Sequence, residues 1–159
     1  MGILSGKRVL VVDDQEHVRL AVTQLLRERS FDTGEIRSVS RVQSALDELT
    51  RGRYDLIITE AQMEPLSGMD LLQKVRSGAT VARHDLPVVL LALQADPNIV
   101  KRALELHADG FVVKPVRLGQ LESRLTEAIF RPKPKLAPEA YAVRQDDLAP
   151  RRPETLKAE

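Results

Sequence analysis

Cysteine is absent from all 159 residues, which excludes a disulfide framework and any thiol chemistry. No apolar run approaches the ~18 residues of a membrane span. Met1–Lys7 is too short and too polar to act as the apolar core of a signal peptide. The expectation is therefore a soluble cytoplasmic chain with no membrane partner. Charge of one sign is not in excess either, since the formal net charge is +1. Residues 131–159 carry seven basic and five acidic side chains, and the preceding 130 carry seventeen and eighteen. Neither part is basic enough to predict nonspecific DNA or RNA binding. The three histidines, His17, His84 and His107, stand at no metal-ligand spacing and read as surface or packing residues. No Ser–His–Asp arrangement, phosphate-cradling glycine loop or internal repeat is visible, so nothing points to an enzyme.

What is present divides the chain in two. Residues 1–130 have globular patterning and enough length for one full core. Five of the nine prolines fall after residue 130, and apolar periodicity stops there. Residues 131–159 therefore read as a flexible tail without a core of its own. This tail is too short for a helix-turn-helix domain, so no DNA-binding output is expected.

Within the first part, apolar runs at Val9–Val12, Leu56–Thr59, Pro87–Leu91 and Phe111–Val113 suit strands buried on both faces of a parallel sheet. A weaker strand is expected at Glu35–Val39. Between them lie helical stripes. Val18, Val22, Leu25 and Leu26 mark Gln15–Glu28. Val42, Ala45, Leu46 and Leu49 mark a helix capped by Ser40 and ending near Gly52. Leu71, Leu72 and Val75 mark Gly68–Arg76. Asp96-Pro97 opens a helix to His107, and Leu121, Leu125 and Ile129 mark Leu118–Ile129. Strands alternating with helices predict an α/β fold with right-handed crossovers.

In such a sheet the site lies at the carboxyl ends of the strands. The residues there are Asp13-Asp14, Glu60, Ala92 and Lys114-Pro115. Three carboxylates and one ammonium at one crevice suit a divalent cation and a phosphoryl group. A plainer reading is available for each. Asp13 and Asp14 also suit the first turn of a helix, where carboxylates complement the dipole, and Lys114 also reads as a surface lysine before a turn, a reading that its place after an apolar strand disfavours.

The segments Val11-Val12-Asp13-Asp14, Asp55 to Met63 with Pro65–Gly68, and Asp109 to Pro115 occur in the order and near the spacing of a known family. Over about residues 7–130 the chain resembles the receiver domain of two-component response regulators, the family of the chemotaxis response regulator. The resemblance implies a doubly wound, flavodoxin-like sheet of five parallel strands with five helices. It also implies phosphorylation of an aspartate by a histidine kinase, with Mg²⁺ bound by Asp13, Asp14 and the backbone carbonyl of Gln62, and a Lys114-Pro115 peptide that is often cis.

The departures shape the functional expectation. The family's phosphoacceptor aspartate stands eight residues before a glycine. Here that glycine is Gly68 and the residue is Glu60. The family's switch Thr or Ser is Ala92, and its switch aromatic is Phe111, which also reads as ordinary core. Glu64 adds a carboxylate near the crevice and reads as solvated. The chain thus looks like a pseudo-receiver, with a lysine and metal carboxylates but without the usual acceptor, and with Mg²⁺ binding expected to be weak. Glu60 reads as a poor acceptor, as a mimic of phosphoaspartate, or as a partner of Lys114 that holds an inactive-like state.

The resemblance implies signalling partners: a histidine kinase, a phosphotransferase of a phosphorelay, or a motor or adaptor protein. The fourth helix, fifth strand and fifth helix would present Ile99, Lys101, Arg102, Glu105, Arg117 and Leu118 beside Phe111, either to a partner or to a second copy as a homodimer. Arginine recognises guanine edges bidentately and stacks on bases. Arg144, Arg151 and Arg152 therefore open the alternative of a cyclic di-GMP-type ligand on the tail; the plainer reading is a solubilising tail.

Overall fold

The computed structural model describes residues 1–142. Five strands, β1 (Arg8–Val12), β2 (Glu35–Val39), β3 (Leu56–Glu60), β4 (Val88–Ala92) and β5 (Gly110–Val113), alternate with five helices. These are α1 (Glu16–Leu26), α2 (Val42–Arg51), α3 (Gly68–Arg76), α4 (Pro97–Glu105) and α5 (Leu118–Phe130). All strand pairs are parallel and the order is β2-β1-β3-β4-β5. This is the doubly wound α/β sheet expected from the sequence.

Three of the apolar runs become the inner strands β1, β3 and β4, which are buried almost throughout. The fourth, expected to be buried on both faces, instead becomes the edge strand β5, where Val112 alone is fully buried because no strand covers its outer side. Successive side chains alternate between the two faces. Leu10, Val12, Ile57, Val88 and Leu90 join the core under α2, α3 and α4. Val9, Val11, Leu56, Ile58, Val89 and Leu91 join the core under α1 and α5. β2 is polar and mostly exposed, as its edge position allows.

Helix ends follow local chemistry, with one correction. Asp96 caps α4 by accepting from the Asn98 and Ile99 amides, and Pro97 occupies the first turn. Ser67 and Asp70 form a reciprocal capping box at α3. Ser40 does not cap α2, because the helix begins one residue later, with Arg41 at the N-cap and no side-chain cap.

A second correction concerns residues 131–142, which the sequence assigned to the flexible tail. They return to the domain. A 3₁₀ turn at Pro138–Tyr141 sets Tyr141 into the core under α3, 4% exposed. Its hydroxyl lies 2.9 Å from His107 Nδ1 and accepts from the Leu136 amide at 2.8 Å. The ring stands edge-on to the His107 imidazole, and Gln73 donates to the Tyr141 carbonyl.

Lys135 Nζ meets Asp109 Oδ1 at 2.5 Å. Asp109 also accepts from Arg76 at 3.0 Å and from the Val88 amide. Arg76 is fully buried and donates further to the carbonyls of His84, Leu86, Leu106 and His107. Burial lowers the pKa of both Arg76 and Lys135, and the Asp109 carboxylate opposes that shift. One carboxylate thus ties the end of α3, the start of β4 and the strap to each other. Sequence reading missed this knot because Arg76 looks like a solvated helix-end arginine and Asp109 like a turn residue.

Two constraints align the site end of the sheet. Register pairs Val12 with Thr59, Glu60 with Leu91 and Ala92 with Val113, so β1, β3, β4 and β5 end together. The second is Gly68, where a Cβ would lie 1.9 Å from the Glu60 carbonyl oxygen. The first residue of α3 therefore rests directly on the backbone of Glu60. Gly68→Ala is expected to force the helix from the strand end and to cost about 1–3 kcal/mol, as overpacking does, lowering Tm by several degrees. An unchanged Tm would show that α3 does not bear on Glu60.

Candidate functional site

Strand order reverses about β1 and β3, and the crevice outside such a point is where open α/β sheets place their sites. Asp13 follows β1, Glu60 ends β3 and Lys114 follows β5. The sheet brings all three together. Lys114 Nζ lies 2.9 Å from Asp13 Oδ2 and in direct contact with Glu60 Oε2. Side-chain exposure is 9% for Lys114, 6% for Glu60 and 0% for Asp13. The ammonium and both carboxylates are thus almost wholly withdrawn from solvent. Apart from this ammonium, Asp13 Oδ2 and Glu60 Oε2 find no polar partner among the described residues.

The surrounding backbone holds the three groups. The Gln15 amide donates to Asp13 Oδ1 at 2.9 Å, and the Arg19 guanidinium donates to the Asp13 carbonyl at 2.7 Å. Glu60 Oε1 faces the Gln62 amide at 3.4 Å. The Lys114 amide donates to the Ala92 carbonyl at 2.8 Å, which fixes the ends of β4 and β5 to each other. The Lys114-Pro115 peptide is cis, as is Glu64-Pro65. Arg19 was not singled out from the sequence. Its position six residues after Asp13, on the second turn of a helix leaving the site, was the available signal.

Two carboxylates share one ammonium, so the ionised trio carries one net negative charge in a buried place. Burial pushes the Glu60 pKa up, Lys114 pulls it down and Asp13 adds to the rise; the net direction is upward. Burial works against the charged form of Lys114, but hydrogen bonds from Glu60 and Asp13 and their charges hold its pKa above the ordinary value. Lys114 therefore stays charged, and Glu60 holds a proton to higher pH than an ordinary glutamate.

The other predicted residues fall as follows. Asp14 is exposed and lines a groove beside the trio with Gln62. Ala92 is buried and offers no hydroxyl. Phe111 is half-buried against the core under α4. Lys101, Glu105 and Arg117 are exposed, while Ile99, Arg102 and Leu118 are partly buried. Arg144, Arg151 and Arg152 lie outside the described residues.

The metal set implied by the resemblance is not assembled as it stands. Asp13 has both oxygens engaged, one by Gln15 and one by Lys114. Among the described residues no cluster of three carboxylate or imidazole groups is arranged for a metal. Asp14 and the Gln62 carbonyl remain. Mg²⁺ keeps several waters and is often held by one or two carboxylates, so these two donors fit a largely hydrated ion only.

The upward shift of Glu60 has a stability consequence. The folded chain binds that proton more tightly than the unfolded chain. The resulting stability is complete below the ordinary Glu range, near pH ~4.3, and is lost as pH rises through the raised value. Glu60→Gln lacks this loss. The Tm of the variant minus that of the wild type should therefore increase from pH 4 to pH 8, by a few degrees. A flat or decreasing difference would contradict the assigned shift.

Comparison with known proteins agrees with this geometry. The model of the response regulator receiver domain matches residues 9–126. The two-component response regulator ORR3 of rice (Oryza sativa subsp. indica) is 34% identical over 123 residues, spanning 77% of this chain and 89% of its own. Chemotaxis protein CheY-3 of Vibrio cholerae is 28% identical over 124 residues, spanning 78% and 92%. A solved response regulator receiver domain protein from Clostridium thermocellum aligns with TM-score 0.67 at 26% identity, over 79% of this chain and 95% of that one. With strand ends, site lysine and matched span in agreement, this chain belongs to the response regulator receiver domain family.

Proposed function

We propose that this receiver signals by protein–protein contact in a state that does not depend on aspartyl phosphorylation. The observation that carries the reading is the ion pair of Glu60 with Lys114 at the acceptor position. A glutamate carboxylate stands one methylene further out than an aspartate. In-line attack is sensitive to placement, and an error of about 1 Å costs roughly 10²-fold. The ammonium that would receive a phosphoryl group already serves two carboxylates. At the end of β4, Ala92 supplies no hydroxyl to follow such a group. The site thus has a standing charge pattern in place of a switchable one, and the chain acts as a contact rather than as an enzyme.

Its partners on this reading are cytoplasmic signalling proteins: a histidine kinase, a phosphotransferase, or a motor or adaptor protein. The surface of α4, β5 and α5 remains available to a partner or a second copy, with Lys101, Glu105 and Arg117 exposed on it. Among the described residues no helix is long and apolar enough to cross a membrane.

Incubation with acetyl phosphate and Mg²⁺, or with an active histidine kinase, should leave the intact mass unchanged. A stoichiometric gain of one phosphoryl group that disappears in Glu60→Gln would overturn the proposal. Mg²⁺ at millimolar concentration should raise Tm slightly in the wild type through Asp14 and Gln62, and not in Asp14→Asn. Equal shifts in both proteins would remove Asp14 as a ligand.

A further inference from the structure

Beside the trio a groove of about 1180 Å³ runs between the loop after β3, α3 and α4. It is lined by the partly exposed Met69 and Ile99, the buried Ala61 and Met63, and the acidic residues Asp14, Glu64, Asp70 and Asp96. Among the described residues Arg102 is the one cation lining it, and Arg102 is already engaged with Glu105 at 3.5 Å. At the far end Gln73 and Arg102 also line a smaller adjoining hollow with Tyr141 and Ala142. There the Gln73 carboxamide donates to the main-chain carbonyl of Tyr141 at 3.2 Å.

We infer that the groove between α3 and α4 is the docking site for a cationic, amphipathic peptide segment of a partner protein. The inference rests on the contact reading above and names the face and the partner chemistry. The partly exposed Met69 and Ile99 supply apolar contact, and methionine side chains adapt to varied apolar partners. Asp70 and Asp96 are engaged as helix caps but keep their negative charge, and with Asp14 and Glu64 they outnumber the one lining guanidinium, which selects for lysine and arginine, chiefly through orientation and rate of encounter. Two nearer occupants are less suited. Residues 143–159 carry four basic and four acidic side chains and so bring no net charge, and a second copy brings a chain of formal charge only +1.

The test uses the full chain, ¹⁵N-labelled, titrated with two synthetic amphipathic peptides that share one leucine pattern. One bears lysines on its polar face and the other glutamates. The lysine peptide should bind saturably at micromolar concentration, with shifts confined to Ala61–Ser67 and Asn98–Arg102. Affinity should fall several-fold on raising salt, as exposed charge pairs are screened. Glu64→Lys changes an exposed loop residue, and with Asp14→Lys it should weaken binding at least tenfold while the thermal melt stays cooperative. Equal binding of the glutamate peptide, shifts confined to the α4–β5–α5 surface, or no saturation at millimolar peptide would overturn the inference. So would binding that appears only after Arg151→Glu and Arg152→Glu, which would make the chain's own terminus the occupant, or binding that competes with self-association, which would make it a second copy. None of these outcomes bears on phosphoryl uptake, which is read separately by mass, so the two readings fail independently.

Discussion

One buried ammonium serving two buried carboxylates is the constraint from which the rest of the site follows. Among the described residues neither Asp13 nor Glu60 has another polar partner for the oxygen it turns toward Lys114. Removing the lysine would strand both charges in a place with little access to water, the case in which a buried pair matters most. The same sharing leaves the trio one charge out of balance. Proton uptake by Glu60 relieves that imbalance, and a bound phosphoryl group would worsen it.

The frame that holds the trio is backbone rather than side chain. Strand register brings four strand ends level. The Ala92 carbonyl takes the Lys114 amide, and Gly68 lets α3 sit on the Glu60 carbonyl. At the opposite end of the sheet, Asp109 joins Arg76, the start of β4 and Lys135 of the returning strap. The strap then carries the chain to the end of the groove between α3 and α4. Site and groove are therefore set by the same helix, α3, which is capped at its start and anchored by Arg76 at its end.

The sheet was legible because β1, β3 and β4 are buried on both faces and so read as unbroken apolar runs, and β5, partly exposed at the edge, still keeps a short apolar run. β2 was legible mainly from its place between two helical stripes. The site was legible because its groups sit at strand ends, where position in a parallel sheet nearly dictates position in space. Sequence gave no access to how the lysine divides between Asp13 and Glu60. That depends on three strands and two loops meeting. The strap was missed for a related reason. Proline-rich composition argues against a separate core, but it does not prevent a segment from packing through a single tyrosine on a core already formed. Arg76 was illegible because a buried arginine is stabilised by carbonyls, which sequence does not display.

The most direct test of the shared ammonium is a ¹³C titration of the Glu60 carboxylate by NMR, in the wild type and in Lys114→Met. Glu60 should titrate above the ordinary glutamate value of about 4.3, and loss of the neighbouring cation should move its midpoint higher still. A Glu60 midpoint at or below the ordinary value, unmoved by Lys114→Met, would contradict the account.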